Sequence, residues 1–429
     1  MYISDLALAD FRNYRREVAR FRPGVTILVG ENGQGKTNLV EAIGYLATLT
    51  SHRVSSDNAL IRQGAAAGVV QARVLRGESP TTVEVEIYAG RANRARLHRG
   101  NVRPIEILGT IRAVLFAPED LALVRGEPAV RRAFLDDLMV QLRPRLASVK
   151  SEYERVIRQR AALLKTAGAA RRRGKAVDHA AIDVWDEQLA ALAAQIVAAR
   201  AELVARLRPY VTDMYNVVSG NRGHARLDYA ANAWRGTFTL PDAAALLNDD
   251  DASCHAVTAQ EEALRDVETA RALLRSQLDE RRDQEIERGV NLVGPHRDDL
   301  RLSLGSLPAK GYASHGESWS FALALRLACW KLLSEDGEPI LLLDDVFAEL
   351  DARRRERLAE LVAGAEQVIV TAAVGDDLPE SLRGDRLHIA AGSITGEVRD
   401  GAVTEEASAS VIPEEAAGSA IPKEVGDGA

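Results

Sequence analysis

Residues 30–37 constrain what this 429-residue chain can fold into more than any other feature. They read Gly30-Glu31-Asn32-Gly33-Gln34-Gly35-Lys36-Thr37, with the glycine, lysine and threonine spacing of a phosphate-binding loop. Such a loop works only where a buried strand feeds it and a helix leaves it. Val25-Thr26-Ile27-Leu28-Val29 is the short apolar run of a central strand, and Leu39, Val40, Ile43 and Leu46 follow at the spacing of an amphipathic helix. The glycines let backbone N–H groups turn inward around phosphates, and the helix N-terminus adds partial positive charge. Lys36 is expected to neutralise the β- and γ-phosphates of ATP, and Thr37 to place its hydroxyl on Mg²⁺.

A second element belongs with the first. Ile340-Leu341-Leu342-Leu343-Asp344-Asp345 is a buried-strand run ending in two carboxylates. The strand would deliver Asp344 to the carboxyl edge of the sheet, where it can bind Mg²⁺ through water. Asp345 then falls beside the γ-phosphate, a position suited to orienting and deprotonating an attacking water. Lys36, Asp344 and Asp345 are the expected catalytic residues, and Thr37 and Asp344 the expected metal ligands. A third motif, Ser314-His315-Gly316-Glu317-Ser318, precedes the apolar stretch Trp319 to Leu333 and reads locally as a helix N-cap.

Taken in order, these motifs resemble the ABC ATPase superfamily, in which Ser-x-Gly-x touches the γ-phosphate bound by a second subunit. The resemblance makes Leu350-Asp351 the D-loop and Ser314, Gly316, Glu317 and Asp351 nucleotide contacts made across a dimer. A helical insertion between loop and signature is similar to the SMC-type branch. Further segments narrow the resemblance to the RecF family: Phe11-Arg12-Asn13-Tyr14, Ser51-His52-Arg53, Phe116-Ala117-Pro118-Glu119-Asp120-Leu121, Gly126, Pro128, Arg131-Arg132, Phe134-Leu135-Asp136 and Gly294-Pro295-His296-Arg297-Asp298-Asp299-Leu300. Together they cover residues 1–400. Arg12 is placed by this resemblance within reach of nucleotide phosphates.

The family implies an α/β ABC-type ATPase head, a mixed sheet around the phosphate loop, with an inserted α-helical lobe or short arm. Residues 1–145 and 290–400 would form the two halves of the head, 146–289 the lobe, and 401–429 a disordered acidic tail. It also implies ATP-dependent homodimerisation, binding to single-stranded, duplex and gapped DNA, action with the mediator proteins RecO and RecR in recombinational repair and replication restart, and the SOS response. Two departures from the transporter-like pattern imply slow hydrolysis. Asp345 stands where many relatives of the superfamily have Glu, and Thr371-Ala372-Ala373 follows the strand Gln367–Val370 with no switch histidine. No glutamine marks the Q-loop; Glu119 or Asp120 stands in its place.

Helical periodicity dominates residues 146–289. Trp185, Leu189, Leu192, Ile196, Ala199, Leu203 and Leu207 step by threes and fours until Pro209, predicting a helix from Asp178 to Arg208. Leu264, Val267, Ala270, Leu274 and Leu278 repeat the stepping, with Gly289 as C-cap. These helices are too short for an extended coiled-coil rod, which argues against another SMC-like chromosome ATPase. The large insertion, the signature and the missing histidine argue against a transporter's ATPase subunit. A third reading, an interaction scaffold with an inert ATP site, would show no phosphate release with or without DNA.

Charge bears on the DNA expectation. The formal net charge is −7, but residues 401–429 carry six carboxylates against one Lys. Arg91, Arg94, Arg96, Arg99 and Arg103 fall in a stretch without a carboxylate, and Arg12, Arg15, Arg16, Arg20 and Arg22 crowd the start. Either a local basic surface or the solvated face of a sheet fits this pattern. Cys254 and Cys329 are the only cysteines, so no disulfide framework is expected and a reducing, cytoplasmic setting fits. Neither a signal peptide nor a membrane span is expected.

Overall fold

The computed structural model describes residues 1–221, 223–234, 259–373, 378–380, 382–399 and 402–403. Of the expected tail at 401–429 they include only Ala402–Val403, which is a short strand; the rest lies outside them. Among the described residues the strands form sheets of six, three and seven strands.

The seven-stranded sheet carries the phosphate loop. Its core is parallel: β3 (Gly24–Val29) lies between β14 (Asp385–Ala390) and β13 (Gln367–Ala372), followed by β12 (Ile340–Leu343) and β8 (Ala113–Phe116). The antiparallel β15 (Ser393–Arg399) and β16 (Ala402–Val403) complete one edge. The all-apolar run of β12 follows from burial on both faces. Ile340 and Leu342 enter one hydrophobic core, and Leu341 and Leu343 the other.

The first core is closed by α1 (Lys36–Thr48) and by the six-stranded antiparallel sheet, built around β1 (Tyr2–Phe11), β2 (Tyr14–Arg20), β4 (Ala67–Arg76) and β5 (Ser79–Tyr88), with β6 (Arg94–Leu97) and β7 (Gly100–Val102) at its edge. The alternation of β1 puts Ile3, Leu6 and Leu8 inside. The second core belongs to helices: α3 (Pro128–Leu142), α4 (Leu146–Arg172), α5 (His179–Ser219), α6 (Val267–Arg288) and α7 (His315–Ser334).

Two features of the helical region depart from the sequence expectation. Asp178 does cap α5, accepting from Ala181 N at 3.0 Å, but the helix passes through Pro209 and runs 41 residues. An internal proline costs about 3 kcal/mol, since it leaves one carbonyl without a donor. Beyond it Val211, Tyr215 and Val218 are all buried in the helical core, each contributing about 1.5–3 kcal/mol. Burial therefore outweighs the broken bond and carries the helix on. Second, residues 225–230 are a strand, β9, pairing with β10 (Asp299–Leu304) in the three-stranded sheet. Ala225, Leu227 and Tyr229 alternate inward there.

α6 begins at its cap Asp266 and ends at Gly289, which adopts the left-handed φ of 66° expected of a C-cap. α5 is long and apolar enough to cross a membrane by composition, but 67% of its apolar window is buried within the fold.

The motif Gly294–Leu300 joins these layers. Arg200 on α5 donates to Asp136 on α3 and to the carbonyl of Pro295, and Arg131 on α3 pairs in bidentate fashion with Asp299 at 2.8 and 3.0 Å. Asp298, 1% exposed, accepts from Asn232 N and from the Tyr229 hydroxyl. Deeper in the helical region Arg160, fully buried, binds Asp186, Asn291 and Glu285 at 2.6–2.7 Å.

Candidate functional site

The loop between β3 and α1 is set by contacts from three other parts of the chain. Gly35 is the N-cap of α1 at a φ of 122°, closed to residues with a side chain. A Cβ there would lie 2.8 Å from Asn13 Nδ2 and 2.9 Å from the Tyr14 hydroxyl. Those two side chains hold the loop directly: Asn13 Nδ2 donates to Gln34 O at 2.9 Å and Tyr14 OH to Gly35 O at 3.0 Å. From the other side, the turn between β14 and β15 donates Ala391 N to Gln34 Oε1 and Gly392 N to Gln34 O. Gly30 lies so close to β14 that a Cβ would come within 2.3 Å of the Ile389 carbonyl oxygen.

Glu31, Asn32 and Gly33 are exposed on the loop's outer surface, and Gly33 takes a φ of 82°. Lys36, 4% exposed, turns its ammonium back to the carbonyls of Gly30 and Glu31 at 2.6 and 3.0 Å. No side chain caps α1. Asn38 N and Leu39 N close onto Gly35 O at 3.0 and 3.2 Å, and the N–H groups of Lys36 and Thr37 ahead of them suit an anion.

Asp344 follows β12 directly and is 3% exposed. Its Oδ1 accepts from Thr37 Oγ1 at 3.0 Å and from Thr371 Oγ1 at 2.9 Å. Burial pushes this carboxyl up to about 6, the hydrogen bonds from Thr371 and Thr37 resisting and the charges of Asp345 and Glu119 adding to the rise. A hydroxyl and a desolvated carboxylate on neighbouring elements form a hard-oxygen pair that fits Mg²⁺. Asp345 has a left-handed φ of 49°, with its backbone N–H donating to Thr371 Oγ1. Thr371, at the position where the sequence shows no switch histidine, thus orients both acids. Nothing in the residue pattern had singled it out for that task.

The structure separates the two candidates for the Q-loop. Asp120 is buried, accepting from Ala117 N at 3.0 Å and from Arg326 of α7 at 2.5 and 3.0 Å. Glu119 is exposed, and its charge is felt by both Asp344 and His52. Arg12 has partners of its own next to the loop-bracing Asn13. Its guanidinium pairs in bidentate fashion with the fully buried Glu41 at 2.6 and 2.8 Å and also donates to Ala59 O. Burial raises the Glu41 carboxyl, but the hydrogen bonds and charges of Arg12, Ser51 and Arg53 win and hold it below the usual range.

Ser314 and Asp351 sit together elsewhere. Ser314 caps α7 in a reciprocal box with Glu317: Glu317 N donates to Ser314 Oγ at 3.3 Å and Ser314 N to Glu317 Oε2 at 2.9 Å. Asp351 caps α8 (Ala352–Val362), accepting from Arg354 N at 2.9 Å. Arg354 joins the two helix starts, reaching Asp351 Oδ2 and Ser320 Oγ while lying against Gly316. Among the described residues no hydrogen bond or ion pair links Ser314, Gly316, Glu317 or Asp351 to residues 30–37.

Of the arginines at 91–103, Arg91, Arg94, Arg99 and Arg103 are exposed and Arg96 is half-buried. Arg96 pairs with Glu84 and Glu86, Arg103 pairs with Glu106, and Arg91 stacks on Tyr88 at 3.6 Å from the ring centroid.

Residues 2–381 match the family model described as RecF/RecN/SMC N terminal domain. The DNA replication and repair protein RecF of Beutenbergia cavernae is 56% identical over 404 residues, an alignment covering 92% of this chain and 99% of that protein. That of Frankia alni is 53% identical over 396 residues, with the same coverage. Among solved structures, the recombination mediator protein RecF-ATPrS in the RecFOR pathway superposes with a TM-score of 0.77 at 24% identity, covering 92% of this chain and 97% of the other. RecF-ATP in the same pathway gives 0.76 at 23%, covering 91% and 96%. Both likenesses concern the fold.

Proposed function

The chain belongs to the RecF family of DNA replication and repair proteins, and from that premise and the site above we propose that ATP joins two copies into a dimer that grips DNA. One observation supports this most. The residues expected to bind nucleotide fall in two sets with no hydrogen bond or ion pair between them among the described residues: Lys36, Thr37 and Asp344 on the loop side, and Ser314, Gly316, Glu317 and Asp351 on two exposed helix starts. A second copy supplies the missing half of each site. The nucleotide then favours the closed pair because only that pair contacts it from both sides.

Within one copy, Lys36 and the uncapped first turn of α1 bind the β- and γ-phosphates. Mg²⁺, held by Thr37 and Asp344, would supply neutralising charge there. Asp345, fixed by Thr371, orients and deprotonates water, and Glu119 serves as the Q-loop residue facing the same acids. Asp345 reaches one methylene less than Glu would, so hydrolysis is slow and acts as a timer. Closure brings basic surfaces of both copies onto DNA phosphates, giving affinity that falls steeply with salt and little sequence preference. The same reading extends to gapped-DNA repair with RecO and RecR, replication restart and SOS induction in the cytoplasm, supported by relatives named for DNA replication and repair and for the RecFOR pathway.

Sedimentation of the chain with ATP, comparing wild type with Ser314→Arg, tests the central step. Dimerisation of the wild type alone supports it; equal dimerisation of both removes the contact across subunits. Binding to gapped, duplex and single-stranded DNA with ATP, ADP or neither then tests the coupling, which fails if affinity ignores the nucleotide.

A further inference from the structure

Large apolar side chains left exposed on a folded protein are informative when they cluster at a point where a partner is expected. Among the described residues those more than about a third exposed are valines, Leu307 and Tyr312; Tyr312, at 67%, is both the most exposed and the sole aromatic. It stands two residues before Ser314. The segment that carries it is fixed rather than loose. Gly311 turns the chain at a φ of 90°, and Ser314 starts α7 through its capping box. Lys310 pairs with Glu127 at 3.0 Å, tying the segment to the start of α3, where Val130 is exposed one turn on. Leu307, 41% exposed, lies at the other end of the same segment. Tyr312 itself makes no hydrogen bond, ion pair or ring contact among the described residues.

We propose that Tyr312 is the aromatic anchor of the nucleotide-bridged dimer, exposed in the single chain because its resting place is on the phosphate-loop face of a second copy. This rests on the dimer reading above and adds to it the residue that supplies apolar contact. Ser314 and Asp351 offer polar groups to the nucleotide, but polar groups exchange water for phosphate and contribute modestly. A tyrosine ring buries a large apolar area at a small entropic cost, and residues of this type dominate interface energetics. Because its backbone is held at both ends, little ordering opposes docking. Among the described residues the ring makes no hydrogen bond or ring contact with residues 30–37 of its own chain, so it should not affect nucleotide binding by a single copy.

The test uses the full chain with ATPγS, following dimerisation by sedimentation velocity and single-copy nucleotide binding by a fluorescent ATP analogue at dilution. Tyr312→Ala should weaken dimerisation about tenfold or more, as for an interface anchor, while Tyr312→Phe stays within about twofold of wild type. Binding by the dilute chain should not change. Wild-type dimerisation by Tyr312→Ala overturns the anchor while leaving the dimer reading intact. A wild type that never dimerises with nucleotide overturns the dimer reading itself. As a control independent of variant folding, a photo-crosslinking phenylalanine analogue at position 312 should join two copies only with nucleotide present. Crosslinks confined to one chain count against the proposal.

Discussion

Thr37 Oγ1 donates to Asp344 Oδ1 at 3.0 Å, joining the first turn of α1 to the end of β12 across 307 residues. The acceptor is an acid that its surroundings do not favour as an anion. Its folded value near 6 lies above the ordinary 3.8, so the ionised form costs stability that appears as pH rises through that window. The cost at neutral pH is up to about 3 kcal/mol. Asp344→Asn should therefore raise the melting temperature of the nucleotide-free protein while abolishing ATP turnover. A variant that melts lower than wild type would contradict the electrostatic account.

Arg160 is surrounded by Asp186, Glu285 and Asn291 with no water access. Replacing it by methionine leaves Glu285 buried without its cation, a change that costs about 3–5 kcal/mol. Urea denaturation of Arg160→Met should show that loss. A midpoint within error of wild type would mean that the network contributes specificity rather than stability.

His296 accepts from the Tyr153 hydroxyl at Nδ1 (2.7 Å), and its Nε2 faces the Asn291 carbonyl at 3.4 Å, a pattern that assigns the proton of the neutral ring to Nε2. Burial, together with the charges of Arg297, Arg132 and Arg160, pushes it down to about 4 against the bond to Asn291. The unfolded ring binds a proton more readily than the folded one, so stability falls as pH drops from about 6.5 towards 4. That component should reach up to about 3 kcal/mol. Thermal melts of wild type and His296→Gln across this range should converge at low pH; parallel curves would clear His296 of the effect.

Glu119 and Asp120 are adjacent, yet their substitutions should part company. Asp120→Asn removes the anion that holds Arg326 and should destabilise the fold by about 3 kcal/mol or more. Glu119→Gln should melt like wild type and change only the rate of phosphate release. If Asp120→Asn proves neutral for folding, the Arg326 contact is not structural.

How much of this could be read from the residues varies with the range of the forces involved. The phosphate loop, the strand before it and the acids after β12 depend on local pattern; Thr37 and Asp344 meet, while the Lys36 ammonium turns to the carbonyls of Gly30 and Glu31. Asn13 and Tyr14 were legible as members of a motif and Thr371 as the residue after a strand, but their tasks were not, because each acts on a backbone or carboxylate far away in sequence. Pro209 misled as a helix stop, since propensity is local and the core that overrides it is assembled from α7 and β12. β9 escaped notice because six residues of alternation are easily lost between long helical repeats. Arg12 shows the opposite limit: a motif named it, and tertiary structure gave it Glu41 as a partner.

The turn at Ala391 and Gly392 donates two backbone hydrogen bonds to Gln34, which a ribosome completes more than 350 residues earlier. A nascent chain therefore possesses every residue of the loop long before it possesses the brace that shapes it. Nucleotide competence should arrive late in synthesis, so unfinished polypeptides would not compete for ATP or recruit finished ones into mismatched pairs.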